Sequence, residues 1–290
     1  MKINNKSLRL LVLIIVLSNS LFISCRTISV TTHTIKTPLL EENSIIRIVL
    51  ISDLHNSIHG ADQSILIDKI KNANPDLIVL AGDIIDNFNT IRGTRLLLSR
   101  ISGIAPVYFV TGNHEFASND IHRIRRELVS HGVIILSDTY KIVEIGNNKI
   151  VLAGIEDPSK ALFETPGYDQ SAVMEKVFRE LDEVPLFKIL IAHRPEMIEL
   201  YKKFSFDLVL AGHAHGGQVR TPFRSRGLYA PNQGIFPRFT GGMYTFDSLS
   251  LIVSRGLSLN HPRMPRIFNY PELVIVDIKS ESAVKIQTET

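Results

Sequence analysis

The stretch Ala211-Gly212-His213-Ala214-His215-Gly216-Gly217 decides how this chain is read. It follows Asp207-Leu208-Val209-Leu210, which has the character of a short buried strand. Two histidines one residue apart at a glycine-rich strand exit can aim imidazoles at neighbouring points. Glycine lets the backbone turn tightly and lets other groups approach. A His-X-His alone is weak evidence, but four earlier stretches share its construction. The apolar run 48–52 ends in Asp53-Leu54-His55, and 77–81 ends in Gly82-Asp83. The run 107–111 ends in Gly112-Asn113-His114-Glu115, and 189–192 ends in His193. Five apolar runs that finish in Asp, Asn or His describe an α/β sheet collecting ligands at the carboxyl ends of its strands.

Outward from these blocks, residues 45–52 are apolar throughout rather than alternating, as in a strand covered on both faces. Period two along an extended backbone puts Asp53 and His55 on one side. Helical spacing predicts covering helices over 61–73, 91–101 and 171–183, and one from Pro195 to about residue 204. Gly146-Asn147-Asn148 between 139–145 and 149–155 predicts a hairpin. Strands are expected at 250–254 and 273–278. His59 is read as a loop histidine, and Asp86 as a helix-capping or solvated carboxylate. From 220 to 266 the chain has seven arginines, no lysine and one acid, Asp247. Two readings of that segment stay open: a solvated basic face, or an anion-binding element, since arginine forks match phosphate oxygens. Arg220, Arg238 and Arg255 are the candidates for substrate contacts. The segment 220–242 is expected to be a long loop beside the site.

The 290 residues, 44% hydrophobic, suit one globular domain over 45–280, followed by a tail over 281–290. A net charge of +3 does not by itself imply nucleic-acid binding. The one cysteine, Cys25, excludes an internal disulfide and thiolate ligands among the blocks above. Lys2, Lys6 and Arg9 precede an apolar stretch over 10–23, then Ser24-Cys25. That start reads either as a lipoprotein signal with lipidated Cys25 or as an uncleaved anchor. Either way residues 1–25 form a targeting segment and 26–44 a polar tether. The expectation is a membrane-associated protein with its domain on the extracytoplasmic face, or on the cytoplasmic face with an inverted, uncleaved anchor.

The ordered series Asp-X-His, Gly-Asp, Gly-Asn-His-Glu, His and Gly-His-X-His over about 45–277 resembles the calcineurin-like metallophosphoesterase superfamily. His193-Arg194-Pro195-Glu196, Gly216-Gly217-Gln218, Tyr229-Ala230-Pro231-Asn232-Gln233-Gly234 and Val253-Ser254-Arg255-Gly256 are similar to its membrane-associated bacterial branch. The resemblance implies a four-layer α/β/β/α sandwich with a dinuclear metal site. Asp53, His55, Asp83 and His215 would hold one ion, and Asp83, Asn113, His193 and His213 the other, with Asp83 bridging. His114 would protonate the leaving oxygen, and Glu115 would orient it or a nearby loop. Such a mixed Asp, Asn and His set suits two ions of Mn, Fe or Zn better than Ca. The expected activity is hydrolysis of a phosphodiester or pyrophosphate bond in a small-molecule, cell-envelope or lipid-linked substrate. The alternative is UDP-2,3-diacylglucosamine hydrolysis on the cytoplasmic face in lipid A synthesis. A metal-free scaffold would lack ligands, and none is missing. A nuclease would need a nucleic-acid surface, and none is expected.

Overall fold

The computed structural model describes residues 27–86, 90–221, 224–259 and 265–281. Two six-stranded sheets carry the architecture. In the first, the strands run in the order β1(Ser29–Thr37), β16(Glu272–Ser280), β2(Ile45–Ile51), β3(Leu77–Ala81), β4(Val107–Val110), β5(Ile134–Ile135). In the second the order is β14(Gly242–Phe246), β15(Leu249–Val253), β9(Leu208–Ala211), β8(Phe187–Ile191), β7(Asn148–Gly154), β6(Thr139–Ile145). Each sheet has a parallel centre: β2, β3, β4 and β5 in one, and β15, β9, β8 and β7 in the other.

The side-chain period of two explains the layers. Ile48 and Leu50 of β2 face the second sheet, joining Val79, Ile189, Ile191, Leu208 and Leu210 in the inter-sheet core. Val49 and Ile51 face the other way, against Leu66, Ile70, Leu97 and Leu128 from covering helices. On the far side, Val151, Leu190 and Val209 meet Met174, Phe178 and Tyr201. A strand buried on both faces has no place for polar alternation. The result is the four-layer α/β/β/α sandwich expected from the resemblance. The hairpin β6–β7 is antiparallel around Gly146, also as expected.

Three expectations need correction. Residues 26–44 are not all tether: β1 lies within them and pairs in parallel with β16 in continuous register. Its alternating half-buried and exposed positions are those of a polar edge strand. The helix beginning at Pro195 is short, a 3₁₀ turn over Pro195–Met197 followed by Ile198–Tyr201, because the chain turns to bury Phe204 and Phe206. The segment 220–242 holds two small antiparallel pairs, β10(Arg220–Thr221) with β11(Arg224–Gly227) and β12(Tyr229–Ala230) with β13(Gly234–Ile235). The membrane location is also corrected. Among the described residues no helix is long and apolar enough to cross a membrane. Residues 1–26, with Cys25, lie outside the described residues.

Candidate metal centre

The exits of β2, β3, β4, β8 and β9 converge, and they carry all seven residues singled out as ligands. Asp53, His55, Asp83, His213 and His215 have φ between 47° and 66°, the left-handed region that non-glycine residues avoid. Such backbone costs about 1–3 kcal/mol per residue and concentrates at functional sites. Here it turns short side chains back over the strand ends. Gly82, with φ 83°, serves the same purpose by absence: a Cβ there would lie 2.5 Å from His193 Nδ1 and 2.7 Å from the Gly112 nitrogen.

Two groups of side chains share one carboxylate. Asp53, His55, Asp83 and His215 form one, and Asp83, His193 and His213 the other, each with ligand atoms within 4.8 Å of one another. His193 Nε2 lies 3.1 Å from Asp83 Oδ2 and 3.2 Å from His213 Nδ1. His55 Nε2 lies 3.8 Å from Asp83 Oδ2, and His215 Nε2 lies 3.5 Å from Asp53 Oδ1. Hydrogen bonds on the far side of each group fix these orientations. His193 Nδ1–H donates to the Ala81 carbonyl at 2.8 Å, so its Nε2 faces the centre. The His213 backbone N–H donates to both oxygens of Asp53 at 3.1 Å. Ser258 Oγ lies 3.4 Å from His215 Nδ1 and is itself held by Arg266.

The electrostatics follow from burying two carboxylates together. Burial and the neighbouring Asp83 push Asp53 above the ordinary carboxylate value, against the pull of His193. Asp83 sits well below that value despite its burial, because His193 both charges and hydrogen-bonds it. His193, against its own burial, is correspondingly raised to about 10. Burial and the His193 charge lower His213 to about 4, and burial with the His55 charge lowers His215.

Glu115 acts on the loops. Its fully buried carboxylate accepts from the backbone N–H groups of Asp83 (2.9 Å), Ile84 (2.7 Å), Ile85 (3.0 Å) and Gly112 (2.7 Å). It thereby ties the β3 exit to the β4 exit. His59 is buried and lies 2.7 Å from the Leu257 carbonyl, outside both ligand groups.

Asp86 is a correction. It caps none of the described helices, and although its side chain is exposed it is engaged by two histidines. Its Oδ1 hydrogen-bonds His114 Nδ1 and lies 3.6 Å from His55 Nδ1. These bonds hold Asp86 far below the ordinary carboxylate range. Burial lowers His114, but the Asp86 hydrogen bond and the charges of Asp83 and Asp86 outweigh it and raise it to about 9. A carboxylate three residues beyond Asp83 was the available signal.

The arginines do not behave as a set. Arg255 is engaged within the fold: its guanidinium donates to Glu272 Oε1 at 2.9 Å and to Ser29 Oγ at 2.8 Å. That corrects its assignment as a substrate contact. Arg220 is half-buried, with its pKa lowered by burial and by the Arg255 charge. Arg238 is exposed and lies over the rings of Phe239 and Phe246, 4.9 and 5.8 Å from their centroids.

The chemistry of the donor set fits divalent cations. Two carboxylates and four imidazoles cluster at carboxyl strand ends, while among the described residues Asn113 Oδ1 and His55 Nε2 are buried without a hydrogen-bond partner. Buried polar atoms are normally satisfied, so such a pair signals a missing partner. A family model described as Calcineurin-like phosphoesterase matches residues 46–217, more than half of the chain. The chain belongs to that family. It is a phosphoester hydrolase. Among the family's members, the metallophosphoesterase YkuE of Bacillus subtilis, itself uncharacterized, is 29% identical over 261 residues, covering 87% of this chain and 86% of its own. Phosphodiesterase YaeI of Escherichia coli is 27% identical over 218 residues, covering 73% and 74%. The solved NAD nucleotidase of Haemophilus influenzae has the same fold, with a TM-score of 0.52 at 19% identity over 74% of this chain and 46% of that one. Family membership and the residue groups together point to divalent-metal binding.

Proposed function

We propose that this phosphoesterase works with two divalent ions and cleaves a phosphodiester or pyrophosphate bond. One observation carries the reading: Asp83 belongs to both ligand groups, beside Asn113 Oδ1 and His55 Nε2, which are buried without a hydrogen-bond partner among the described residues. Asp53, His55, Asp83 and His215 would hold one ion, and Asp83, Asn113, His193 and His213 the other. Bound divalent ions supply charge neutralisation for the phosphoryl oxygens and a water acidic enough to attack at neutral pH. The metal could be Mn, Fe or Zn by donor type. Asp83, as the shared carboxylate, sets the spacing of the two groups. Asp86 occupies His114 Nδ1, which leaves Nε2–H as the proton for the departing oxygen. Glu115 takes no part in proton transfer, because four backbone amides occupy its carboxylate.

The phosphodiester is favoured over the pyrophosphate by the phosphodiesterase name of the Escherichia coli relative. Exposed Tyr229, Ile235 and Phe236, on the hairpin that follows the last histidines, support an apolar portion in the substrate, as in a lipid-linked ester or UDP-2,3-diacylglucosamine. Arg220 and Arg238 remain the candidates for a second anionic group. The test begins with protein stripped by chelation and reloaded with Mn²⁺ alone. Two ions per chain and metal-dependent hydrolysis of bis(p-nitrophenyl) phosphate are expected. Activity that survives complete chelation, or less than one ion per chain, overturns the reading. Faster cleavage of decyl than of methyl p-nitrophenyl phosphate tests the apolar portion.

A further inference from the structure

We propose that Asn232 is a positioning residue of this centre: its side-chain carbonyl fixes the proton of His213 on Nε2, so that Nδ1 is the ligand atom. The inference rests on the reading of His213 as a ligand. His213 Nε2 lies 2.8 Å from Asn232 Oδ1, while the nearest carboxylate, Glu196 Oε1, is 3.7 Å away and beyond hydrogen-bond distance. The opposite ring nitrogen, Nδ1, is 3.2 Å from His193 Nε2, inside the group built on Asp83. A neutral imidazole has one protonated nitrogen, and an acceptor on one side decides which. Among the described residues, Asn232 Oδ1 is the acceptor at hydrogen-bond distance from Nε2; without it the Nε2 proton loses the partner that holds it there, and the Nδ1–H form, with its proton toward the ion, becomes accessible.

The loop around Asn232 is built to hold that acceptor still. Asn232 occupies the turn between β12 and β13 with φ 59°, a conformation asparagine adopts more readily than most residues. Its neighbour Gln233 clamps the turn, donating to the Phe239 carbonyl at 2.8 Å and accepting from the Phe239 N–H at 2.9 Å. Ala230, two residues before, is fully buried in the outer core. The contrast with His193 is instructive. Its outer partner is a backbone carbonyl of β3 in the inter-sheet core, whereas that of His213 is an exposed side chain on a surface turn. Outer partners of metal-ligating histidines set ring orientation and affinity, typically by 10–100-fold. Asn232 therefore links the geometry of the buried centre to a turn at its mouth.

The test uses two substitutions. Asn232→Gly keeps the left-handed backbone and removes the acceptor, while Asn232→Asp keeps an acceptor. In metal-free protein, long-range ¹⁵N–¹H spectra of the imidazoles should show His213 as the Nε2–H tautomer in the wild type and in Asn232→Asp. Asn232→Gly should show Nδ1–H signal. Calorimetric titration with Mn²⁺ should find one of two sites weakened about 10–100-fold in Asn232→Gly and the other unchanged. The thermal midpoint of metal-free Asn232→Gly should match the wild type, which separates this role from a purely structural one. An unchanged tautomer with unchanged Mn²⁺ affinities overturns the proposal. If the wild type binds no Mn²⁺, the two-metal reading fails, and the tautomer still decides the role of Asn232.

Discussion

The two halves of the centre use opposite chemistry. The first sheet contributes the imidazole of His55 and also Asp53, Asp83 and Asn113, whose oxygens want N–H donors. The second contributes only imidazoles, His193, His213 and His215, which want acceptors behind them. The bonds that satisfy them cross from one sheet to the other. Asp53 takes its donor from the His213 backbone, and His193 finds its acceptor at Ala81. Asp83, by contrast, is held within the first half by the His114 N–H at 2.9 Å and by Glu115 through the backbone. The difference teaches where the site is stiff. Asp83 is fixed by loops of its own half, whereas Asp53 and the imidazoles of the second half depend on partners from across the molecule and from surface turns.

The comparison can be broken in a definite order. Asp83→Ala should cause the largest loss of all single changes, since it removes a ligand from both groups. Metal analysis should find both ions lost, whereas His213→Ala should leave one. Equal losses from the two would remove the distinction between the halves. Next comes His114→Ala, with turnover down about 10²–10⁴-fold, as for a general acid, at wild-type metal content. Loss of metal in that variant would make His114 a ligand. Asp86→Asn should act more gently, through pH. His114, raised to about 9, is protonated below that pH and donates there; turnover falls as pH rises through it. A neutral amide removes the influence that raised it, so the alkaline limb of the rate profile should move to lower pH. A profile that stays in place would assign the proton to another group. The smallest effect on activity belongs to Arg255→Ala. It should reduce stability in urea unfolding by about 1.5–3 kcal/mol, the range for hydrogen bonds to charged groups. Turnover of bis(p-nitrophenyl) phosphate per folded molecule should be unchanged; a selective loss of activity would return Arg255 to the site.

What could be read in advance follows the same division. Ligand residues at strand exits are legible because both facts are local: an apolar run marks the strand, and the polar residue follows at once. Asp83 and His213 were singled out on that ground, and the ordered series of blocks and its resemblance supplied the metal-binding expectation. Asp86 was missed because its meaning lies in His114, 28 residues later, which only the pairing of β3 with β4 brings alongside. Arg255 was misread for the same reason. Composition counts arginines but does not show that Glu272 and Ser29 await one of them. Strand β1 was hidden in another way. Its threonine-rich alternation is that of a polar edge, which lacks the continuous apolar run that announced β2. Asn232 stood in a recognised block, but only the turn geometry shows which way its amide is used.

The pairing of β16 between β1 and β2 has a consequence for how the protein is made. On the ribosome, β2 emerges hundreds of ångströms of extended chain before β16 does, at about 3.3 Å per residue. Until then its outer edge, beside Asp53 and His55, has open hydrogen-bonding groups. β1 waits likewise, since its register runs against β16 from Ser29 opposite Glu272 to Thr37 opposite Ser280. The nascent chain thus carries a complete set of ligand residues well before the strand that closes their sheet, and protection of that edge during synthesis becomes a requirement of the fold.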